Sequence, residues 1–218
     1  FYTSGQWFTE KKGGSDLARA TETVAVPSTG DHGTHKLYGY KWFTSAVDAD
    51  VTLTLASISD DKDRAMTDER KPLSLFFLET RQSDAPGEAL LENPDPLNGI
   101  RVVRLKDKMA TRQLPTAELV LDGSNAFLAS RPGQGVKQVS PMLHITRFHN
   151  SVSAVSYAMR MRNLAVDFAH RRSAFGAPIV DKPLHIQSLF EYDMDVRGNL
   201  LLVLEVARLL GKEEAGNA

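Results

Sequence analysis

The residue types best placed to do chemistry stand near the start of the chain, in Thr9-Glu10-Lys11-Lys12-Gly13-Gly14-Ser15-Asp16. Adjacent glycines let a backbone turn tightly and come close to a ligand. The hydroxyls around them offer neutral donors and acceptors, so the loop suits a flavin edge or a phosphate oxygen. A plain hairpin turn would use the same residues. The loop is neither a Walker loop, since no Gly-Lys-Ser/Thr follows, nor a GxGxxG fingerprint. A second segment, Gly39-Tyr40-Lys41-Trp42-Phe43-Thr44-Ser45, is an aromatic strand ending in hydroxyls. It could pack on a flat ring and hydrogen-bond its polar edge, or be a core strand with a polar end. Three further segments carry polar groups: Leu105-Lys106-Asp107-Lys108-Met109-Ala110-Thr111-Arg112-Gln113-Leu114-Pro115-Thr116 ahead of a strand, Thr146-Arg147-Phe148 in a helix, and Arg172-Ser173-Ala174-Phe175-Gly176-Ala177-Pro178-Ile179 in a loop. An arginine in such a loop can hold a phosphate bidentately, or be a surface cation at a helix C-terminus.

Other chemistries find little here. The chain has no cysteine, which excludes disulfides, thiolate metal sites and a Cys nucleophile and suits a reducing compartment. His32 and His35 flank Gly33 in what reads as a surface turn without further ligands, His144 and His149 fall on different helical faces, and His170 and His185 lie near helix ends. No metal site is expected. Asp60 to Lys71 has spaced aspartates but lacks the Gly and terminal Glu of a calcium loop, and reads as a solvated loop.

These segments need elements to hold them. In the first half Val51, Leu53 and Leu55 alternate with Thr52 and Thr54, and Leu73/Leu75/Phe77 and Ala117/Leu119/Leu121 repeat the spacing. A period of two predicts half-buried strands. Turn clusters at Pro27 to Asp31, Asn93 to Pro96 and Leu97 to Gly99 separate them, which suggests a small barrel or sandwich. The second half is helical. Ser140-Pro141 reads as an N-cap and first helical residue, with a stripe of Leu143, Phe148, Val152, Val155, Met159 and Leu164 running to about His170. A second helix is expected from about Leu184 to Leu210, with Leu189, Val196, Leu200, Leu204 and Ala207 on one face and Gly211 as its cap. The expected fold is thus α+β by segments, an all-β domain over 1–130 followed over 131–218 by antiparallel long helices of a helical-bundle domain. The 218 residues carry a formal net charge of −1, which gives no electrostatic argument for nucleic acid or an anionic membrane, and no apolar run reaches the ~18 residues of a spanning helix. Phe1 to Phe8 reads as the end of a strand without an initiator Met, so the chain is expected to be an excerpt of a longer protein.

In this order and at these separations, the five segments resemble the acyl-CoA dehydrogenase superfamily, whose TExxxGSD loop, WIT strand end, KxGxRxSxT segment, substrate-facing helix Arg and RxxFGxPI loop all have counterparts. The resemblance spans essentially the whole chain. The Thr-Glu-Lys-x-Gly-Gly-Ser-Asp form, Lys-Trp-Phe-x-Ser, Arg-Leu-Lys-Asp-Lys and the Pro183-Leu184 ending are closer to AidB-like members than to the short- and medium-chain enzymes. The resemblance implies FAD as cofactor and an acyl-CoA as substrate. The segment matching Gln6 to Ser15, with Phe8, Thr9 and Gly14, would wrap the flavin. Thr9 would hydrogen-bond the isoalloxazine, and Ser15 the pyrophosphate or the thioester arm. Phe43 matches the Trp beside the flavin, Thr44 adjoins it, and Ser45 matches the Thr that bonds flavin N5. Thr146 and Arg147 match helix residues near the acyl-CoA. Arg172, with Ala174 in the same loop, matches the Arg that reaches the FAD of a neighbouring subunit, which implies a homodimer or homotetramer. Ala110, Leu114, Ala174 and Lys182-Pro183 depart from the family pattern.

The implied reaction removes an α-proton with a carboxylate and passes the β-hydride to flavin N5, giving a trans-2-enoyl-CoA. No catalytic residue is assigned within this chain. Thr146 stands where one branch has its Glu, and the other branches place theirs in a later segment. Glu10 belongs to the flavin loop, while Glu191, Asp193 and Asp195 read as a solvated helix face. An electron-transfer partner and an intracellular site, cytoplasmic or mitochondrial, are expected. Three alternatives stay open: an FAD- and acyl-CoA-binding protein of the AidB type with little dehydrogenase activity, acting in stress or alkylation response; a non-enzymatic interaction module; and an acyl-CoA oxidase.

Overall fold

The computed structural model describes residues 2–28, 33–61, 72–81 and 97–216. The chain divides into two compact units, Phe1–Ser140 and Pro141–Ala218.

The first unit is a β-structure. Its strands are β1 (Ser4–Trp7), β2 (Val24–Pro27), β3 (Thr34–Ser45), β4 (Val51–Ile58), β5 (Leu73–Glu79), β6 (Ile100–Leu105) and β7 (Thr116–Leu128), with a short helix α1 (Leu17–Ala20) after the Gly-Gly loop. Five of them close on themselves: β4 pairs β2, β2 pairs β3, β3 pairs β7, β7 pairs β5, and β5 returns to β4. Strand β1 lies beside the first half of β4, and β6 beside β7. The expected barrel-like sheet is present, and closure leaves few unpaired edges. Inside it pack Trp7, Leu37, Phe76, Leu78, Leu119 and Leu121, among others.

Of the alternating apolar residues of β4, Leu55 alone is fully buried. The β4 residues sent inward are Thr52 and Thr54, while Val51 and Leu53 are half-exposed. The inward hydroxyl is satisfied: Thr54 Oγ1 donates to the Trp7 carbonyl at 2.6 Å. A threonine so bonded is nearly as good a filling as valine, so polarity alone did not mark the outer face. His35, expected in a surface turn, is buried edge-on against Phe76, with ring centroids 5.1 Å apart. His32, residues 62–71, and the turn residues 29–31 and 93–96 lie outside the described residues.

The long helix α2 runs over Gly135–Arg171, five residues ahead of the expected Ser140 cap, so Pro141 lies inside it. Its first turn is tied down from the barrel side. Gly133 N–H donates to Ser74 Oγ at 2.9 Å, and a Cβ on Gly135 would lie 2.5 Å from the Leu75 nitrogen. Glycine lets the helix start against that strand. Pro141 then costs one ladder hydrogen bond rather than capping the helix.

In the second unit α2 is followed by a small hairpin, β8 (Ser173–Ala174) and β9 (Ala177–Pro178), a 3-10 turn at Ile179–Asp181, and α3 (Pro183–Glu214). The helices carry Val155 and Val196 as buried members of the expected stripes, while Met159, Leu164 and Leu204 are exposed. Asp193, expected on a solvated face, links the helices instead. It accepts from Arg162 Nε at 2.7 Å and from Arg197 Nε at 2.8 Å. The bond from Arg197, followed by that from Arg162, holds its carboxyl below the usual range despite partial burial. Gly211 does not cap α3, which continues to Glu214, and Gly216 takes the left-handed φ of +69°. Among the described residues no helix is long and apolar enough to cross a membrane.

Candidate functional site

On the barrel, the segment after β1 runs antiparallel to the end of β3. Glu10 bridges Lys41, Trp42 N–H donates to the Thr9 carbonyl at 3.0 Å, and Trp7 Nε1 donates to the Ser45 carbonyl at 3.2 Å. This brings the backbone of Phe8 and Thr9 alongside the end of β3 that holds Phe43, Thr44 and Ser45, with the Phe8 side chain itself buried. Gly14 folds back onto Thr9 so closely that a Cβ there would lie 2.8 Å from Thr9 Oγ1. Ser15 is exposed in an open depression of about 460 Å³ that includes Lys12, Gly14, Asp16 and Arg19. The Gly-Gly loop is therefore a cradle, with a hydroxyl on one wall and open space on the other.

The aromatic strand owes its shape to a bulge. Lys41 faces Leu119 and Thr44 faces Ala117, so β3 carries one extra residue there. Lys41 and Thr44 both turn inward, and Trp42 and Phe43 stand outward in succession. Phe43 is 51% exposed. Thr44 is fully buried and its hydroxyl donates to the Ala117 carbonyl at 2.6 Å, so its side chain is not free for a ligand. Ser45 is exposed, with its Oγ 2.8 Å from Thr116 Oγ1. Lys108 holds the far side of that pair, donating to the Leu114 carbonyl at 2.5 Å and to Thr116 Oγ1 at 3.1 Å. The 105–116 segment thus supports Ser45 from behind.

Two charged clusters were not singled out from the sequence. Glu10 and Lys41 form a fully buried ion pair, Nζ to Oε1 2.7 Å. Glu10 also accepts from Thr23 Oγ1 at 2.5 Å and from Glu22 N–H at 2.5 Å, and Lys41 donates to the Leu55 carbonyl at 3.1 Å. The second cluster centres on Glu118, which accepts from Arg104 Nε and Lys106 Nζ, each at 2.7 Å, and from the Tyr40 hydroxyl. Burial pushes the Glu118 carboxyl up, but the bonds from Lys106, Tyr40 and Arg104 outweigh it and bring it down to about 2. The same bond, with burial, raises the Tyr40 phenol. The sequence signal was available: a Glu or Lys inside an apolar strand must find a partner or not be buried.

The sign of the Glu118 effect fixes an expectation. A carboxyl depressed in the fold adds stability above its unfolded value, near 4.5, and loses it as pH falls through about 2. Glu118→Gln should therefore flatten the fall of the unfolding midpoint between those limits relative to the unsubstituted protein. Denaturant titrations of both at pH 2 to 7 check this, and parallel curves would refute it.

The second unit holds the remaining predicted residues. Thr146 is exposed and its hydroxyl donates to the Leu143 carbonyl at 2.9 Å. Arg147 lines a largely apolar groove between α2 and α3 with His144, Phe148, Val155, Leu202 and Val206. Arg172 is exposed at the end of α2, its carbonyl accepting from Ile179 N–H at 2.8 Å, and half-buried Ala174 follows in β8. At the hairpin tip both Phe175 and Gly176 have positive φ, +52° and +77°, the two-residue turn that antiparallel strands favour.

Residues 5–124 match the family model described as acyl-CoA dehydrogenase, middle domain, and residues 133–217 match acyl-CoA dehydrogenase, C-terminal domain. A curated Caenorhabditis elegans relative, acyl-CoA dehydrogenase family member 11, is 49% identical over all of this chain and 33% of its own length. The Escherichia coli putative acyl-CoA dehydrogenase AidB is 29% identical over 94% of this chain and 33% of its own. The crystal structure of C. elegans ACDH-11 in complex with C11-CoA superposes with a TM-score of 0.84 at 47% identity, covering 100% of this chain and 34% of that one. The chain spans about a third of the length of these relatives.

Proposed function

This chain belongs to the acyl-CoA dehydrogenase family, and we propose that it is the flavin-cradling part of an FAD-dependent acyl-CoA dehydrogenase of the AidB-like branch. Residues 1–130 would be its middle β-domain and 131–218 the start of its C-terminal helical domain. The observation that carries the reading is the seam between Thr9 and Trp42, closed by a 3.0 Å backbone bond. It brings the Thr9 backbone alongside Trp42, in the strand that carries the exposed Phe43 ring and Ser45. A flat aromatic face flanked by neutral hydroxyls fits an isoalloxazine, and the glycine cradle at Gly14 and Ser15 fits its phosphate arm.

Thr9, Ser45 and Phe43 would hold the ring, with Gly14 and Ser15 at the diphosphate. FAD, when bound, supplies the acceptor for the hydride that leaves the acyl β-carbon as an α-proton is removed. The protein's part is to orient and to keep water out. The buried Glu10–Lys41 pair fixes the backbone on both sides of the seam, and Lys108 and Thr116 back the Ser45 hydroxyl. Arg147 supplies a cation for the acyl-CoA, with Thr146 beside it. Arg172, at the end of α2 with Ala174, would reach the FAD of a second subunit, which makes the working form a homodimer or homotetramer. The carboxylate base belongs to a segment outside these residues, and electrons would leave to a separate acceptor protein. The similarity to the C11-CoA-bound ACDH-11 supports an acyl-CoA as ligand.

An anaerobic visible spectrum of the full-length protein, titrated with acyl-CoAs of increasing length, tests the reading. We expect a bound-flavin band that bleaches with one class of chain length. A band that never bleaches would leave a flavin-containing binding protein of the AidB type, and absence of flavin would remove the cofactor assignment.

A further inference from the structure

Lys106 does more than neutralise Glu118. Its ammonium lies 3.4 Å from the centroid of the Trp42 ring and 4.5 Å from that of Phe43. The two rings meet edge to face, centroids 6.3 Å apart. Trp42 and Phe43 are consecutive, and consecutive strand residues ordinarily face opposite sides of a sheet. Only the bulge between Lys41 and Thr44 lets one cation touch both. The Lys106 side chain is itself largely buried, at 12% exposure, and its charge is fixed from below by Glu118 at 2.7 Å. Glu118 in turn is clamped by Arg104 and Tyr40. Lys11 and Arg104 stand farther from the Trp42 ring, at 5.8 Å and 6.0 Å. Among the described residues, Lys106 is the cation within 5 Å of both ring centroids.

We infer that Lys106 is a positioning residue for Phe43: pinned on Glu118, it holds the bulged aromatic pair and fixes the angle at which Phe43 meets the cofactor ring. The inference rests on the flavin reading above and deepens it, by naming what sets the aromatic wall of that site. A cation over a ring is attracted by the electron-rich face, most strongly when water is kept away. The arrangement therefore favours one orientation of a side chain that is otherwise half in solvent. Without the ammonium, Phe43 gains rotamer freedom and the wall loses its fixed angle.

The test uses the full-length, FAD-loaded protein and the variants Lys106→Met, Lys106→Arg, Phe43→Leu and Lys106→Met with Phe43→Leu. Methionine keeps the unbranched stem and removes the charge, Arg104 remains as a countercharge for Glu118, and the melting transition checks folding. Lys106→Met should retain FAD, shift the visible absorption and circular dichroism bands of the bound flavin, and slow its anaerobic reduction by acyl-CoA by about tenfold, with little change in the acyl-CoA concentration for half-saturation. Lys106→Arg should restore most of the rate, because a guanidinium also stacks on aromatic faces and pairs with a carboxylate. In the Phe43→Leu background, Lys106→Met should have no further effect, since it acts through that ring. A flavin spectrum and reduction rate unchanged by Lys106→Met, or effects of the two substitutions that simply multiply, would overturn the inference alone. An unsubstituted protein that holds no flavin would overturn it together with the functional reading.

Discussion

Replacing Lys41 with methionine should lower the unfolding free energy of the barrel by about 3–5 kcal/mol, the usual cost of leaving a buried charge without its partner. The ammonium is fully buried and supports Glu10 and the Leu55 carbonyl at once. Removing it strands a carboxylate that keeps Thr23 and Glu22 as donors but has no countercharge. Glu10→Gln combined with Lys41→Met should cost less than the sum of the single changes, because neither charge is then left alone. Urea denaturation followed by circular dichroism measures all three variants. A loss below about 1 kcal/mol for Lys41→Met would mean that water reaches the pair. The pair gains the barrel little over an apolar filling of the same volume, since both ions must be desolvated. Its use is registry: it ties the residue after Thr9 to the residue before Trp42.

The second large effect is expected at Trp7. It is fully buried, is the largest member of the core and donates its indole N–H to the Ser45 carbonyl. Trp7→Ala should cost about 3–5 kcal/mol from lost burial and the cavity left behind. Trp7→Phe keeps most of the volume and should lose about 1–2 kcal/mol, from the missing hydrogen bond and a smaller void. The chain has two tryptophans, Trp7 and Trp42. In either variant the emission of Trp42 alone reports unfolding, so the aromatic strand itself serves as the probe. Should both variants unfold at the same urea concentration, the indole nitrogen rather than the ring volume would be what the core depends on.

How much of this could be read beforehand differs from element to element. The two-part architecture followed from a change of period, from two in the strands to three or four in the helices. The 117/119/121 face of β7 was legible because all three side chains join the hydrophobic core. The β4 face was not, because a barrel interior accepts a threonine whose hydroxyl finds a carbonyl, and no pattern of apolar residues records that carbonyl. The start of α2 was misplaced for a similar reason. Ser140-Pro141 is a good local cap, but the helix start is decided by Gly135 lying against Leu75, a contact between residues sixty positions apart. Among the site residues, the Thr9 loop and the Phe43 strand could be marked by composition, whereas their adjacency could not. The Glu118 and Lys41 clusters were missed because a charged residue in a strand is read as outward until its partner is known. Thr44 sits in the same motif, but its burial and its bond to the Ala117 carbonyl keep its side chain from a ligand.

The bulge between Lys41 and Thr44 has a counterpart. On the opposite edge of β7, Val102 faces Leu119 and Arg104 faces Glu118, so β6 also gains a residue at the same level. Both neighbours of β7 are therefore locally longer than β7 itself, and a sheet with longer flanks than centre must curl. Curvature of the wall and exposure of the aromatic ledge are then one feature. Deleting a residue there would not merely remove a ring; it would flatten the barrel where it bends, and a flat wall offers no ledge to rebuild.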